Sequence, residues 1–515
     1  MDVSSEPTDL SRRVFLARTA GVAATSALAQ RIVMARPNAS SAIVEMDGTA
    51  LAKAIRNRKI SSLEAMNAYL DQIDRLNPKV NAIVALQDRE QLLAQARECD
   101  AQLARGQVVG PLHGVPMAIK DLRSVRGIVS TQGSPIFKDH VPTEDSITVA
   151  RLRSAGAIFI GKTNVPEFGL GSHTYNPVYG VTHNAYDQNH TAGGSSGGAA
   201  VALALKMLPF ADGSDTGGSL RNPAGWNNVF GFRTSIGRVP TDGADNWLPS
   251  MAVIGPMGRS VEDLATLLSV QAGFDVRLPL SIDGSLDFRS GLHANMKGKR
   301  AAFLGDFGGN TPCEPEVLST CRSALKAFEA LGCVVVEDYP KFDFDALWQA
   351  TIQIRGWQTA ASLLPHYKNP ERRKLLKPDA IYEIETAMPL SAFDISAASI
   401  LRTRWYLAVL EFFNRYDFMI APTAQVFPFP IEIHWPDTIA GHKMQTYHEW
   451  MKAVQFVSMS GCPALAAPAG FSATGLPIGI QIIAPNHREI DCLQMATAYE
   501  AATDWTQAHK PALLA

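Results

Sequence analysis

GGSSGGAAVALALKMLPFADGSDTGGSLRNPA, residues 193–224, carries two glycine-cushioned serine sites. Gly194-Ser195-Ser196-Gly197 comes first and Gly217-Gly218-Ser219 second; an apolar, alanine-rich run (199–208) and a short strand-like step into Asp212 lie between them. Glycine beside a serine lets the backbone approach a substrate and take dihedrals closed to other residues. A serine hydroxyl becomes a nucleophile only when a neighbour accepts its proton. The reading of the whole chain therefore turns on which neighbour that is.

Working outward, PLHGVPMAIKD (111–121) reads as a short buried strand over Val115 to Ile119. Lys120 at its end is unusual, because lysine is among the residues least often buried. Residues 146–154 read as helix, and 157–160 as a buried strand running into Gly161-Lys162-Thr163-Asn164. Downstream, helices are expected at 260–270 and 314–330, with strands at 300–304 and 334–337. Apolar strands alternating with helices predict an α/β layered sheet. Nearer the N-terminus, Ser61-Ser62-Leu63-Glu64 resembles a capping box, followed by Leu63, Met66, Leu70, Ile73 and Leu76 at helical spacing. Asn77-Pro78 is expected to end that helix, and a second one covers 89–104. Residues 342–415 read as a mainly helical, peripheral segment, and strand-like runs return at 416–423 and 461–483. With no internal repeat, residues 39–515 are expected to form one large domain.

Composition narrows the function classes. Hydrophobic residues make up 46% and charged ones 19%, so a sizeable core is expected. With 47 basic against 49 acidic residues, nothing suggests a nucleic-acid stripe or a polybasic membrane patch. Residues 1–38 read as a leader: Ser11-Arg12-Arg13-Val14-Phe15-Leu16 is a twin-arginine pattern, Ala27-Leu28-Ala29 offers a small-residue cleavage site, and no acid occurs between Asp9 and Glu45. Export to the periplasm is the expectation, with the cytoplasm as the outcome if the leader does not function. Beyond it no apolar run is long enough to span a bilayer. The six cysteines form no Cys-x-x-Cys and read as buried thiols, with pairing among Cys313, Cys321 and Cys333 left open.

Four readings compete for the serines. A phosphate loop wants glycines followed by Lys and Ser/Thr, which GGSSGG lacks; Gly161-Lys162-Thr163 has that tail, but it is set aside because Ala157, four residues ahead of Gly161, is taken as the place of the first glycine. Gly193 to Gly197 fits a nucleophile elbow, yet the polar residues 187–191 do not supply the buried strand such an elbow follows. Solvated serines in glycine turns are the bland account. The fourth reading is a serine nucleophile served by lysine in place of histidine.

Three segments favour the fourth. GVPMAIKD (114–121), GGSSGGAA (193–200) and SDTGGSLRNPA (214–224) resemble the amidase signature family, as do AGAIFIGKTNVPEFG (155–169) and GLPIGIQII (475–483). The resemblance runs from about Gly48 to the end and is weakest between about Asp275 and Ala424. It implies an α/β/α sandwich with a mixed central sheet and an amidase that hydrolyses a carboxylic amide to carboxylate plus ammonia or amine. It assigns Ser219 as nucleophile, Ser195 as a bridging serine after a cis peptide bond from Gly194, and Lys120 as general base through Ser195. The N–H groups of Thr216, Gly217, Gly218 and Ser219 are the implied oxyanion hole, with Ser196 and Asp215 in support. Replacing Gly217 or Gly218 by Val is expected to abolish activity without unfolding the protein.

The chemistry asks that Lys120 be neutral, although free lysine is protonated up to about pH 10.4. Burial among Val115, Met117 and Ile119 lowers that value; the competing account pairs the charge with Asp121 or Asp215. His113, His173, His183 and His190 read as polar loop residues, since lysine fills the base role. His448-Glu449 opens a zinc pattern that Lys452 breaks, so no metal or cofactor is implied. Arg221 either orients the serine loop or makes a surface ion pair, and Trp247 and Trp357 either line an acyl pocket or pack in the core. The implied partner is a small-molecule amide substrate, with no nucleic acid and no stable membrane insertion; a homodimer is compatible with the chain. The rival functions are a glutamine-hydrolysing component of a tRNA-dependent amidotransferase and a catalytically silent binding protein of the same fold.

Overall fold

The computed structural model describes Met1 and residues 39–515, apart from 242, 244, 249, 250 and 284–286. The expected leader, 1–38, lies outside the described residues except for Met1.

Fifteen strands occur among them, in chain order β1 (Ile83–Val84), β2 (Pro116–Lys120), β3 (Ile158–Thr163), β4 (Tyr175–Asn176), β5 (Gly180–Val181), β6 (Ala211–Asp215), β7 (Phe230–Arg233), β8 (Val253–Gly258), β9 (Arg300–Phe303), β10 (Val334–Glu337), β11 (Phe418–Pro422), β12 (Thr438–Ile439), β13 (His442–Lys443), β14 (Ala464–Phe471) and β15 (Pro477–Ile483). Eleven of them make one sheet in the order β1-β3-β2-β6-β8-β7-β14-β15-β11-β9-β10. The sheet is mixed: β3, β2 and β6 run parallel, as do β11, β9 and β10, and the strands between alternate.

Both faces of the sheet are covered, and the period of two along the strands shows how. Phe418 and Ile420 enter a core with the helices Val261–Gln271, Pro315–Ala330 and Glu489–Thr503, whereas Met419 and Ala421 enter one with Phe344–Lys368, Ala392–Phe413 and Lys452–Ser460. At the other end of the sheet Ala118 faces the helix Gly197–Ala204, and Met117 and Ile119 face the opposite core. Strands buried on both faces must be apolar throughout, which is why β2, β3 and β11 read as continuous hydrophobic runs. Helices on two sides of one sheet make the expected three-layer α/β/α sandwich.

The capping box forms as read: Ser61 Oγ accepts from Glu64 N at 3.0 Å, and Glu64 Oε2 accepts from Ser61 N at 2.8 Å. The helix it starts does not stop at Pro78 but runs to Val80. A proline in a last turn forfeits only one amide bond, and the Asn77 side chain steers the exit by accepting from Ala82 N at 2.9 Å and Ile83 N at 2.8 Å. All six cysteines are free, five of them buried.

Candidate active site

β2 and β6 are parallel neighbours in the sheet, and the serine loops gather at their carboxyl ends. β2 delivers Lys120, and β6 delivers Asp215 and then the turn with Gly217, Gly218 and Ser219. The other serine pair precedes the buried helix Gly197–Ala204, with the Gly194–Ser195 peptide bond cis. Ser196 N donates to the Ser219 carbonyl at 3.2 Å, so the two loops lie against each other. Glycine is needed for this closeness: a Cβ on Gly198 would sit 2.4 Å from Asn164 N, and one on Gly213 2.8 Å from Ser196 Oγ.

Lys120 is fully buried, and among the described residues its amine bonds only oxygen atoms of serines. Nζ lies 2.9 Å from Ser195 Oγ, 2.7 Å from Ser196 Oγ and 3.1 Å from the Ser214 carbonyl. Neither carboxylate that could have claimed it does so. Asp121 pairs with Lys162 at 3.5 Å and Asp215 with two arginines, while Asp212 holds the Lys120 amide, not its amine, at 2.9 Å. Burial, reinforced by the nearby Arg123 charge, brings the Lys120 pKa down to about 7. The group is therefore poised to gain or lose a proton at neutral pH.

Asp215 organises the nucleophile turn. Its carboxylate accepts from Gly218 N at 2.9 Å, Leu220 N at 3.1 Å, both Arg221 Nε and Nη2 at 3.0 Å, and Arg233 Nη1 at 3.1 Å. Burial pushes this carboxyl up, but Arg221 and Arg233 outweigh it and hold the group well below the usual range. Arg221 is fully buried, not a surface ion pair; it also reaches Val454 O at 3.0 Å, Gln481 Oε1 at 2.6 Å and Ser458 Oγ at 2.7 Å. The helix Lys452–Ser460 is thus the platform on which the turn rests. Arg233, Ser458 and Gln481 were not legible as site residues; an arginine ending the apolar strand Phe230–Arg233 is the only local signal of the first.

Of the four amides implied for an oxyanion hole, that of Gly218 is already engaged by Asp215. Those of Thr216, Gly217 and Ser219 have no protein acceptor among the described residues. Gly218 also corrects the expected effect of valine. Its φ is +110°, and a Cβ there would meet Val454 Cγ2 at 2.5 Å, so substitution strains the turn itself.

A cavity of about 390 Å³ opens beside the serines, lined by Gln132, Phe168 and Gly169 on one wall, by Arg355, Thr359 and Leu363 on the other, and by Thr216. It touches the serine pair through Gly169, whose added Cβ would lie 3.4 Å from Ser195 Oγ. Trp357 lines a second cavity of about 400 Å³ with Ile236, Val239 and Leu280, whereas Trp247 is 75% exposed and packs in no core. None of His113, His173, His183 and His190 bonds Lys120, Ser195 or Ser219 among the described residues, but they are not all surface residues, and His366 lines the 390 Å³ cavity. His113 and His173 are buried, and burial pulls the His173 pKa down to about 4.

Gly156 stands five residues before Gly161, so the written pattern of a phosphate loop is met at 156–163 after all. The structure dismisses it on geometry. Residues 158–163 are the buried strand β3, followed by the short 3-10 turn Glu167–Gly169 and not by an α-helix, and Lys162 Nζ bonds the Arg123 carbonyl and, at 3.0 Å, Ser130 Oγ. Among the described residues no cluster of His, Cys, Asp and Glu could hold a metal ion, and no helix is long and apolar enough to cross a membrane.

Comparison with known proteins agrees with this geometry. A family described as Amidase matches residues 64–493. An acylamidase of Rhodococcus erythropolis is 35% identical over 473 residues, covering 91% of this chain and 97% of that one. The A-type component of a glutamyl-tRNA(Gln) amidotransferase from Cyanothece sp. is 33% identical over 481 residues, covering 88% and 97%. The crystal structure of a bacterial aryl acylamidase superposes with a TM-score of 0.84 at 29% identity, covering 90% and 97%. With its sandwich fold, its two serine loops and a family match across most of its length, the chain belongs to the amidase signature family.

Proposed function

We propose that the protein is an amide hydrolase in which Ser219 attacks the amide carbonyl and Lys120, acting through Ser195, takes the proton. One observation carries this reading: a buried lysine with no carboxylate at ion-pair distance among the described residues lies 2.9 Å from Ser195 Oγ, beside the turn that holds Ser219. Neutral Lys120 accepts the Ser195 proton as Ser195 accepts that of Ser219, and the Ser219 Oγ–carbon bond forms. The unengaged amides of Thr216, Gly217 and Ser219 face the oxyanion; loss of one such donor typically lowers the rate about 10²–10³-fold. When the carbon–nitrogen bond breaks, the leaving ammonia or amine takes the proton back along the same path. Water then repeats the sequence on the acyl-enzyme and frees the carboxylic acid. A fluorophosphonate serine probe followed by peptide mass spectrometry tests this directly. Label on Ser219, lost in Lys120→Ala, supports the relay; label on Ser195, or none on folded protein, overturns it.

A second reading, glutamine hydrolysis within an amidotransferase, is favoured by the similarity to the Cyanothece protein. Ammonia release from glutamine with copurifying partner proteins would select it. The twin-arginine pattern at 11–16 supports export instead, since tRNA and the partner proteins stay in the cytoplasm. Residues 1–38 fused to a folded reporter should carry it to the periplasm, and retention in the cytoplasm would remove that support. A silent binding protein has no need to retain Lys120, Ser195 and Ser219 together.

A further inference from the structure

The motif at 155–169 ends in Val165-Pro166-Glu167-Phe168-Gly169, and the proton relay uses none of these residues. Glu167 is fully buried. Such a carboxylate is costly unless its oxygens are matched by donors, and here the donors come from two distant segments. Ser134 Oγ donates to Oε1 at 2.6 Å, and the main-chain N of Lys377 donates to Oε2 at 2.9 Å. The loop is tied to the same two segments beside these bonds: Phe168 N donates to the Gln132 carbonyl at 2.8 Å, and Lys377 Nζ to the Leu170 carbonyl at 2.6 Å. The loop is also bent where it is held, with Phe168 at φ +53° and Gly169 at φ +71°.

What the loop does explains why it is held. Gln132, Phe168, Gly169 and Leu170 form one wall of the 390 Å³ cavity. At Gly169 the wall comes close to the serine: an added Cβ would meet Leu122 Cδ1 at 2.7 Å and lie 3.4 Å from Ser195 Oγ. Lys377 caps the helix Pro378–Ala387, which packs on the helix Phe344–Lys368, whose Arg355, Thr359 and Leu363 make the opposite wall. Glu167 thus spans from one wall to the helical segment that bears the other.

We propose that Glu167 is a positioning residue that sets the width and alignment of the substrate cavity over Ser195 by bridging the 131–134 turn to the start of the helix Pro378–Ala387. It acts by hydrogen-bond geometry, not by charge. Glutamine can keep both bonds, because the Ser134 hydroxyl can turn to accept from an amide N–H while the Lys377 N–H still donates to the amide oxygen. The proposal rests on Ser219 being the nucleophile.

The test uses the full-length protein and two fluorophosphonates, one bearing an ethyl group and one a dodecyl chain that must lie along the cavity. For each, the half-saturating concentration and the limiting labelling rate at Ser219 are measured in wild type, Glu167→Ala and Glu167→Gln. Glu167→Ala should raise the half-saturating concentration of the dodecyl probe about tenfold or more, while ethyl labelling stays within about twofold. Glu167→Gln should return the dodecyl value to within about twofold of wild type. If circular dichroism shows that Glu167→Ala does not fold, Ser134→Ala, which removes one arm of the bridge, should give a smaller shift confined to the dodecyl probe. Equal loss with both probes, no change with either, or failure of glutamine to restore the dodecyl value overturns the role of Glu167 while leaving Ser219 as nucleophile. A wild type unlabelled at Ser219 overturns the nucleophile and this proposal together.

Discussion

The carboxyl ends of β2 and β3 lie side by side, and each sends a lysine into the interior, with opposite consequences. Lys162 meets Asp121 at 3.5 Å, Ser130 Oγ at 3.0 Å and the Arg123 carbonyl, a set that matches a positive charge. Lys120 meets two serine hydroxyls and one carbonyl, a set that suits an amine as well as an ammonium. Burial lowers the pKa of both, but only Lys162 has a carboxylate at ion-pair distance, which opposes that shift without reversing it. The difference teaches that a buried lysine is structural or chemical according to whether an acid is withheld from it. Here Arg221 and Arg233 occupy Asp215, Lys162 itself occupies Asp121, and Asp212 is turned to the Lys120 main-chain N–H instead of its amine.

The sharpest test of the chemical end is Ser219→Ala, which should cut amide hydrolysis by about 10⁴-fold or more with the thermal transition unchanged. Residual activity within tenfold of wild type would mean that another group attacks. Next comes Lys120→Met, with an expected loss of about 10³-fold or more, roughly the share of an activated nucleophile's base. In wild type kcat/KM should rise with pH through a pKa of about 7 as Lys120 loses its proton, and the methionine variant should lack that limb. The stability sign is fixed by the same shift. Between about pH 7 and 10.4 the unfolded chain holds a proton on this lysine that the folded one does not, so stability rises with pH across that window. Lys120→Met should flatten that rise, and calorimetry across pH 6–9 would read it.

Lys162→Met should behave in the contrary way. It leaves Asp121 buried without its cation, an effect of about 3–5 kcal/mol on stability seen by denaturant unfolding. The fraction that remains folded should still label at Ser219. Loss of labelling with stability intact would break the contrast between the two lysines. The smallest effects belong to the tryptophans: Trp247→Ala should leave kcat/KM within about twofold, as for a surface substitution, and Trp357→Ala should change KM more than kcat. Equal responses would detach the 400 Å³ cavity from substrate binding.

Much of this was legible along the chain because it is written in local pattern. The strand at 116–120 is an apolar run ending in an isolated lysine, the helix from Ser62 announces itself by a capping box, and the serine loops by their glycines. Other features were misread for equally physical reasons. Pro78 looked like a stop, but a side-chain cap from Asn77 lets the helix run on. Glycine at 218 looked replaceable without unfolding until Val454, 236 residues away, appeared beneath it. The phosphate-loop pattern at Gly156–Thr163 was rightly set aside, but the decisive ground lies in the fold: it is a buried strand whose lysine pairs with Asp121 from the end of another strand.

By itself the sequence determined the layered α/β class, the lysine and two serines, and the glycines that let their loops meet, because spacing and residue type act over short range. Only the tertiary structure decided which acid each buried cation takes, that Asp215 already engages the Gly218 amide, and which walls enclose the cavity. Those outcomes depend on distances between strands and helices far apart in the chain. Electrostatic and steric effects fall off over a few ångströms, a scale that sequence separation does not record.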